Sequence, residues 1–520
     1  MDTDVLVVGA GPTGLMLANQ LQRRGVRSLI IDRHAGPARE TRALGVQART
    51  LEIYAQLGVL ERALELGKPG IGANIWASGR HMGQVALGAA GSGDTPYPFI
   101  FVLGQDDNER LLGEHLAAQG LTVAWNTELV DLEQEPAQVR VRLKGPDGTM
   151  RETCASWVAG CDGAHSAVRQ LSGISFPGAP YEHVFFVADT EMTGSMVADQ
   201  VNVYLWRAGF HLLFPMRGTD HWRVVGIVPE QLRDTPDLTF DAVTPSIRHE
   251  AGASMTFWSC SWFSTYRIHH RAAARFRSGR CFVLGDAAHV HSPAGAQGMN
   301  TGLQDAYNLA WKLALVVSGR AGAGLLDSYE AERLPVARAL LNSTDRAFRL
   351  VVSDNPLAGI LRTQVLARLA AFAMSRPRIQ RWVFRVISQI GIRYRGSPLS
   401  QSLGALPRGA PRAGDRFPWM HLRLGADAPP QDVFRVFRDS HFNLLLAGQG
   451  VTPELAGLDG LLRVHVATDD AHNEREFARV GIPRRAFYLL RPDGHVGLCG
   501  TQLPPGAVTG YLSGRLGLRP

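Results

Sequence analysis

Gly285-Asp286-Ala287-Ala288-His289, running on through Pro293, Gly295 and Gly298-Met299-Asn300-Thr301-Gly302, is the stretch on which the reading of this chain turns. The apolar run before it, Cys281-Phe282-Val283-Leu284, has the character of a strand buried on both faces. After it, Leu303, Ala306, Ala310, Leu313 and Val317 recur at alternating spacings of three and four, which predicts an amphipathic helix from about Thr301. The positive end of that helix faces whatever lies against Gly298-Met299-Asn300. A glycine-rich loop between a buried strand and a helix start therefore suits a ligand that carries negative charge.

Two earlier loops extend the pattern. Val5-Leu6-Val7-Val8 reads as a buried strand, followed by Gly9-Ala10-Gly11-Pro12-Thr13-Gly14 and by Leu15, Ala18 and Leu21 at helical spacing as far as Gly25. A second strand, Ser28-Leu29-Ile30-Ile31, ends at Asp32. In such a βαβ unit the glycines let the backbone approach a pyrophosphate, and Asp32 can accept hydrogen bonds from ribose hydroxyls. The unit points to a dinucleotide but does not separate FAD from NAD. Residues 154–159 read as a third strand, leading into Gly160-Cys161-Asp162-Gly163. Asp-Gly alone is a common turn. Here Ser166 and Arg169 open a helix-like stretch directly after it, so a carboxylate and a guanidinium stand beside the turn. Together the three loops suit the two ends and the middle of one flavin dinucleotide. A reduced flavin is negative along its pyrimidine edge, and a helix N-terminus stabilises that charge.

Bulk properties narrow the classes. A chain of 520 residues is expected to form two or three domains. Lys and Arg number 54 against 47 Asp and Glu, a net charge of +7, but they are scattered without blocks of like charge. This argues for a mildly basic surface that attracts anionic cofactors or substrates, and against nucleic acid. Cys154, Cys161, Cys260, Cys281 and Cys499 include neither a C-x-x-C nor a metal-ligand spacing, as expected of free thiols. His269-His270 and His289-x-His291 lack supporting ligands at metal-site spacing, so no metal is expected. No apolar run is long enough to span a membrane. Asp2-Thr3-Asp4 leads into a strand without signal-peptide features, and a cytoplasmic protein is expected.

Gly9-x-Gly11-x-x-Gly14, Asp162-Gly163 and Gly285-Asp286, in that order, resemble the single-component (class A) flavoprotein aromatic hydroxylases. Relatives include phenol 2-monooxygenase, pentachlorophenol 4-monooxygenase and the polyketide hydroxylases. Residues 285–312, with Asp305-Ala306-x-Asn308-Leu309-Ala310-Trp311-Lys312-Leu313, are very similar to that family, as is Ser328-Tyr329-Glu330-Ala331-Glu332-Arg333-Leu334-Pro335. The resemblance covers nearly the whole chain. It implies an FAD-binding, Rossmann-like domain of the glutathione-reductase type. Its cofactor contacts would be Gly9, Gly11, Pro12, Thr13, Gly14, Asp32, Arg33, Asp162, Gly163 and Gly285. Asp286 would meet the ribitol chain, Pro293 the isoalloxazine, and the backbone of Gly298, Met299 and Asn300 its pyrimidine edge. Arg42 resembles the family's pyrophosphate-side arginine and Gln105 its flavin-contacting glutamine. Leu129, after a strand-like stretch at 121–125, would give a backbone contact to adenine. Ser292-Pro293 departs from the consecutive prolines of many relatives, so this loop is expected to be less stiff.

Between residues 181 and 270 short runs alternate, as in Val184-Phe185-Phe186-Val187 and Phe210-His211-Leu212-Leu213-Phe214, and predict an antiparallel sheet. In the family such a sheet walls the substrate pocket, and Tyr204, His211, Phe214 and Trp262, with Trp258 and Tyr266, are candidates to line it. Residues 397–418, rich in Gly, Pro and Ser, read as a linker. Strand-like runs beyond it, with the turn Arg491-Pro492-Asp493-Gly494, resemble the thioredoxin-like C-terminal domain of the phenol hydroxylase branch. The expected division is a cofactor domain at 1–178 and 276–396, a substrate sheet at 179–275 and a thioredoxin-like domain at 410–520.

The implied activity is an FAD-dependent monooxygenase, using NADPH or NADH as transient reductant and dioxygen, that hydroxylates a phenolic or polyketide-like molecule through a flavin hydroperoxide. Baeyer-Villiger oxidation, antibiotic modification and a non-catalytic flavin-binding scaffold are the alternatives. No residue is assigned as a catalytic acid or base, and either a monomer or a homodimer is open.

Overall fold

Strands paired in parallel are covered on both faces and so read as continuous apolar runs. Thr3–Val8 obeys this, with Val5, Leu6 and Val7 fully buried. In the computed structural model it pairs in parallel with Met150–Gly160 on one side and Ser28–Ile31 on the other, and Cys281–Val283 adds in parallel beyond Met150–Gly160. The structure describes residues 2–518 except 39–42, 78, 207–208, 252–254, 292–296, 353–375, 426–427, 451–457 and 459. Gly9, Asp32, Asp162 and Gly285 each follow the C-terminal end of one of these four strands, so the loops that carry them leave the same edge of the sheet. That edge is where open α/β sheets receive ligands. An antiparallel hairpin, Glu128–Gln134 with Val139–Lys144, extends the other end of Met150–Gly160.

Three local expectations need correction, and the first is the linker at 397–418, which contributes the strand Gln401–Leu403 to a sheet with Val496–Gly500. The helix after the Gly285 loop is Gly298–Val317, beginning before Thr301. Thr301 donates both its amide and its hydroxyl to Gln297 O at 2.9 Å, which draws the glycine and asparagine before it into the first turn. Residues 121–125 form no strand, only an isolated bridge from Ala124 to Ile31, because the chain turns at Asn126 with φ 51°.

Among the described residues, the middle sheet has eight strands. Gly178–Gly194, Val201–Trp206, Gly209–Pro215, His221–Ile227 and Met255–Ala272 pair antiparallel, as their alternation predicts. Ala73–Ala77 joins Val201–Trp206 in parallel and carries Arg80–Val85 with it, so the sheet reaches back into the first part of the chain. The helix Phe240–Ala251 packs Phe240, Val243 and Ile247 onto one face. A third sheet runs in the order Gln401–Leu403, Val496–Gly500, Ala486–Leu490, Phe442–Ala447, Leu462–Ala467. Among the described residues, no helix is long and apolar enough to cross a membrane.

Buried charges fasten this last sheet to the first. Lys312 Nζ, on the Gly298–Val317 helix, lies 2.8 Å from Glu332 Oε2 on the helix Asp327–Val352. Arg491, in the turn between Ala486–Leu490 and Val496–Gly500, binds both Glu332 and Asp493. All four side chains are buried. Burial alone would raise the Glu332 carboxyl, but Arg491 and Lys312 hold it down at about 2. A carboxyl with a depressed folded-state pKa contributes stability above its unfolded value and loses it as pH falls through the folded one. Thermal unfolding should therefore show Tm dropping as pH falls from 4.5 toward about 2. Glu332→Gln, which leaves Lys312 and Arg491 without this partner, is expected to cost about 3 kcal/mol or more at neutral pH and to flatten that acid slope. An unchanged slope in the variant would remove Glu332 from the account.

Candidate functional site

Each pair of the three loops is joined by a specific contact. The first meets the second where Cys161 donates its amide to Val8 O at 2.7 Å. A Cβ on Gly9, whose φ is +101°, would overlap Cys161 O and Asp162 Cα, so only glycine allows this approach. The first meets the third through Thr13, whose side chain fills the space left by Gly285 and Gly302. Arg169 joins the second to the third, donating to Ala164 O at 2.7 Å and to Ala287 O at 2.9 Å. Ser166 caps the short helix Ala167–Leu171 by accepting from the Arg169 amide, which fixes the start of that arm.

Asp305 locks the third loop. Fully buried one turn beyond Thr301, it accepts at Oδ2 from the Gly285 amide at 3.1 Å and from His289 Nε2 at 2.8 Å. Its Oδ1 receives Arg333 Nε at 2.6 Å, and Arg333 goes on to Thr301 O at 3.0 Å and the Tyr394 hydroxyl at 2.8 Å. The start of the loop and the start of the helix are thus tied to one carboxylate. Burial would raise that carboxyl, but Arg333 and His289 hold it below the usual range.

Neither Pro12–Gln22 nor Gly298–Val317 has a side-chain cap or an acidic residue in its first turn. Gly11 has ordinary extended geometry, and a Cβ there would meet nothing within 4 Å. The glycine leaves room that no described residue fills, as an approaching pyrophosphate requires. Asp32, at this end, takes the Ala10 amide on Oδ2 at 2.7 Å and the His34 amide on Oδ1 at 2.8 Å. At the other end Asp286 is exposed between buried Gly285 and Ala287. Asn300 turns its side chain away from the first-turn amides, accepting from the Gln47 amide and the Thr50 hydroxyl and donating to Gly45 O. Met299 Sδ lies 3.4 Å from Asn108 Nδ2 on the helix Gln105–Ala118, where Gln105 donates to Glu109 at 2.8 Å. Leu129 is buried in its hairpin beside Leu6, Val8 and Ile31, and Arg33 is exposed next to Asp32. Arg42 and Pro293 lie outside the described residues.

In the middle sheet, cross-strand register decides which side chains share a face. Tyr204 stands opposite His211, His211 opposite Gly226, and Gly226 opposite Phe186. This row belongs to the face under Phe240–Ala251, where Tyr204 and Phe186 pack with Val243 and Ile247. Phe214 stands opposite Arg223, Arg223 opposite Asp189, and Asp189 opposite Trp262. Phe214 is three residues from His211, so this second row is on the other face. The four pocket candidates therefore cannot line one cavity. Tyr204 and His211 are core residues of the helix-covered face, whereas Phe214 and Trp262 flank a buried ion pair on the opposite one. Arg223 binds Asp189 through Nε and Nη2, both at 2.5 Å, with its guanidinium 5.2 Å from the centre of the Trp262 ring. Leu205, Phe210, Ile227, Phe185 and Tyr266 continue that face as an apolar floor.

The chain matches the FAD binding domain family over residues 2–344. It belongs to that family. Over 529 aligned residues it is 34% identical to 6-methylpretetramide 4-monooxygenase of Streptomyces rimosus, covering 98% of this chain and 92% of that one. With rifampicin monooxygenase of Streptomyces venezuelae it shares 38% identity over 400 residues, 75% and 79% of the two chains. Among solved structures, aklavinone-11 hydroxylase in ternary complex with FAD and aklavinone superposes with a TM-score of 0.80 at 26% identity, covering 99% of both chains. The reading of the sequence as an FAD-dependent monooxygenase of the flavoprotein aromatic hydroxylase family holds.

Within this FAD-binding chain, sequence reasoning missed the pair Asp189–Arg223 and the bridging role of Arg169. A signal for Arg223 existed, a lone cation inside the apolar run Trp222-Arg223-Val224-Val225, but its partner is fixed only by register. His289, weighed as a metal ligand, is held by Asp305. Gly11 and Gly14 separate ligand from packing. Gly11→Val is expected to fold with an apoprotein Tm like the wild type and to weaken FAD binding by about tenfold or more in a fluorescence titration, its side chain standing where the pyrophosphate approaches. Gly14→Ala, which overlaps Gly9 O, should instead lower Tm of the apoprotein. Wild-type FAD affinity in Gly11→Val would show that this open space is not the cofactor's.

Proposed function

We propose that this protein hydroxylates a flat phenolic or enolic polyketide-like molecule, with NADH or NADPH and dioxygen as co-substrates. The observation that carries the reading is the meeting of three loops at one sheet edge, with two uncapped helix N-termini among them. An aromatic-walled sheet face carrying the buried Arg223 supports it further. The relatives' names support the substrate class: one acts on 6-methylpretetramide and one on rifampicin, and a neighbour binds aklavinone.

In this reading Gly9, Gly11, Pro12, Thr13, Gly14, Asp32 and Arg33, with Arg42 and Leu129, hold the adenosine and pyrophosphate end of FAD. Asp162, Gly163, Gly285 and Asp286 serve its middle, and Gln105 contacts the flavin. Pro293 and the amides of Gly298, Met299 and Asn300 serve the ring. When bound, FAD supplies electron transfer from the nicotinamide and the activation of dioxygen. The protein's own contributions are position, charge and exclusion of water. The uncapped start of Gly298–Val317 favours negative charge at the ring's edge. Leu205, Phe210, Ile227, Phe185 and Tyr266 give the substrate an apolar floor that keeps water away. Asp189 holds the Arg223 guanidinium in one plane, where it stabilises a phenolate or enolate oxygen and so favours the electron-rich form of the ring. Phe214 and Trp262 flank that position.

The domain division follows the same reading. A cofactor domain spans 1–178 and 276–396, and the substrate sheet spans 179–275 with the strands borrowed from 73–85. A thioredoxin-like unit spans 410–520, with the edge strand Gln401–Leu403 joining its sheet from the stretch before it. Its strand order, with Phe442–Ala447 antiparallel to Ala486–Leu490 and parallel to Leu462–Ala467, supports that kinship.

The test is aerobic NAD(P)H oxidation by the purified protein with a panel of phenols and polyketide-type enols, with products weighed by mass spectrometry. Substrate-stimulated oxidation with gain of one oxygen is expected. A failure of any panel member to stimulate oxidation by the FAD-loaded protein would count against the reading. Asp286→Ala should purify with little FAD, and a normal flavin content would overturn its assignment. Arg223→Met should lower kcat/KM by about tenfold or more with FAD content unchanged. Equal kcat/KM would remove Arg223 from the pocket.

A further inference from the structure

Among the described residues, five non-glycine residues have positive φ: Asn126, Asp199, Asp220, Asp237 and Gln389. Four are Asn or Asp in exposed turns, the residue types that tolerate this backbone best. Gln389 is neither Asn nor Asp, has φ +60°, and is 4% exposed. It follows the end of the helix Pro377–Ile387, just after the C-cap Ser388, the position where glycine most often ends a helix. A strained conformation of this kind persists only where the surroundings over-determine it.

The surroundings are the first two turns of Gly298–Val317. Gln389 Nε2 donates to Thr301 Oγ1 at 2.9 Å and to Gln297 O at 3.3 Å, and its Oε1 accepts from Gln304 Nε2 at 2.5 Å. Gln297, Thr301 and Gln304 are spaced as neighbours on one helix face. Gln297 completes the frame by donating from its own side chain to Val386 O at 3.3 Å. One amide thus uses both its donor and its acceptor side on three residues around the start of the helix. A glycine at 389 would relax the backbone but supply none of these bonds.

We propose that Gln389 is a positioning residue for the flavin. By clamping Gln297, Thr301 and Gln304 it sets the direction of the first turn, and with it the positive potential offered to the edge of the ring where negative charge develops on reduction. This rests on the reading that Gly298, Met299 and Asn300 face that edge. Gln389 acts through the helix and touches neither cofactor nor substrate.

Gln389→Gly tests the idea, because glycine accepts the positive φ while the side chain and its amide are removed. The measurements are FAD stoichiometry, Tm, the midpoint potential and visible spectrum of the bound flavin, and kcat and KM. The expected result is FAD stoichiometry and Tm near wild type, a more negative midpoint potential, an altered visible spectrum, and kcat lowered about tenfold with KM little changed. Gln389→Asn, which also tolerates the backbone and keeps a shorter amide, should fall between the two in potential. A potential and spectrum identical to wild type in Gln389→Gly would overturn the proposal, and so would a kcat loss that only follows a fall in Tm. Wild-type protein unable to bind FAD would instead overturn the reading beneath it.

Discussion

Asp305 is a carboxylate with no solvent access that accepts from a backbone amide, an imidazole and a guanidinium at once. A buried charge is tolerable only when its partners satisfy it, and removing one such partner typically costs about 3 to 5 kcal/mol. The same bonds shape the functional edge. Gly285 and Thr301, the two ends of the loop, are held through this one group, directly and by way of Arg333. Because Gly285 also packs on Thr13, the geometry set by Asp305 passes to the first glycine loop, and through Arg169 to the second.

The helix Gly298–Val317 is anchored along its length by buried pairs of opposite charge, Asp305 with Arg333 and Lys312 with Glu332. Asn308 and Lys312 meet Glu332, which Arg491 also binds from the C-terminal sheet. That sheet is therefore part of what holds the Gly298–Val317 helix in place. Gln389 reaches the opposite end of this helix from a different segment, so its first turn is fixed from several directions.

What could be read from the chain followed from local rules. The runs 5–8, 28–31 and 281–284 are apolar because parallel strands are covered on both faces, and the glycine loops follow them at once. Strand alternation in the middle sheet was equally legible. It held more than was taken from it, since His211 and Phe214, three residues apart on one strand, had to face opposite sides. The rest depends on contacts distant in sequence. Asp189 and Arg223 are 34 residues apart and meet only through register, Arg169 reaches Ala287 across 118, and Arg491 reaches Glu332 across 159. In Arg491-Pro492-Asp493-Gly494 the turn was visible, but not that its charges are buried against a helix pair. Stretch 121–125 looked like a strand by composition and was prevented from pairing by the turn that follows.

The central claim is that a single buried carboxylate holds the three loops in the form that binds FAD. The most direct measurement is an FAD fluorescence titration of Asp305→Asn beside the wild type, with circular dichroism recorded on both. The account predicts a folded protein whose Kd for FAD rises by about tenfold or more, as expected on losing charge-assisted bonds to Gly285, His289 and Arg333. Folded Asp305→Asn protein that binds FAD with wild-type affinity would contradict it.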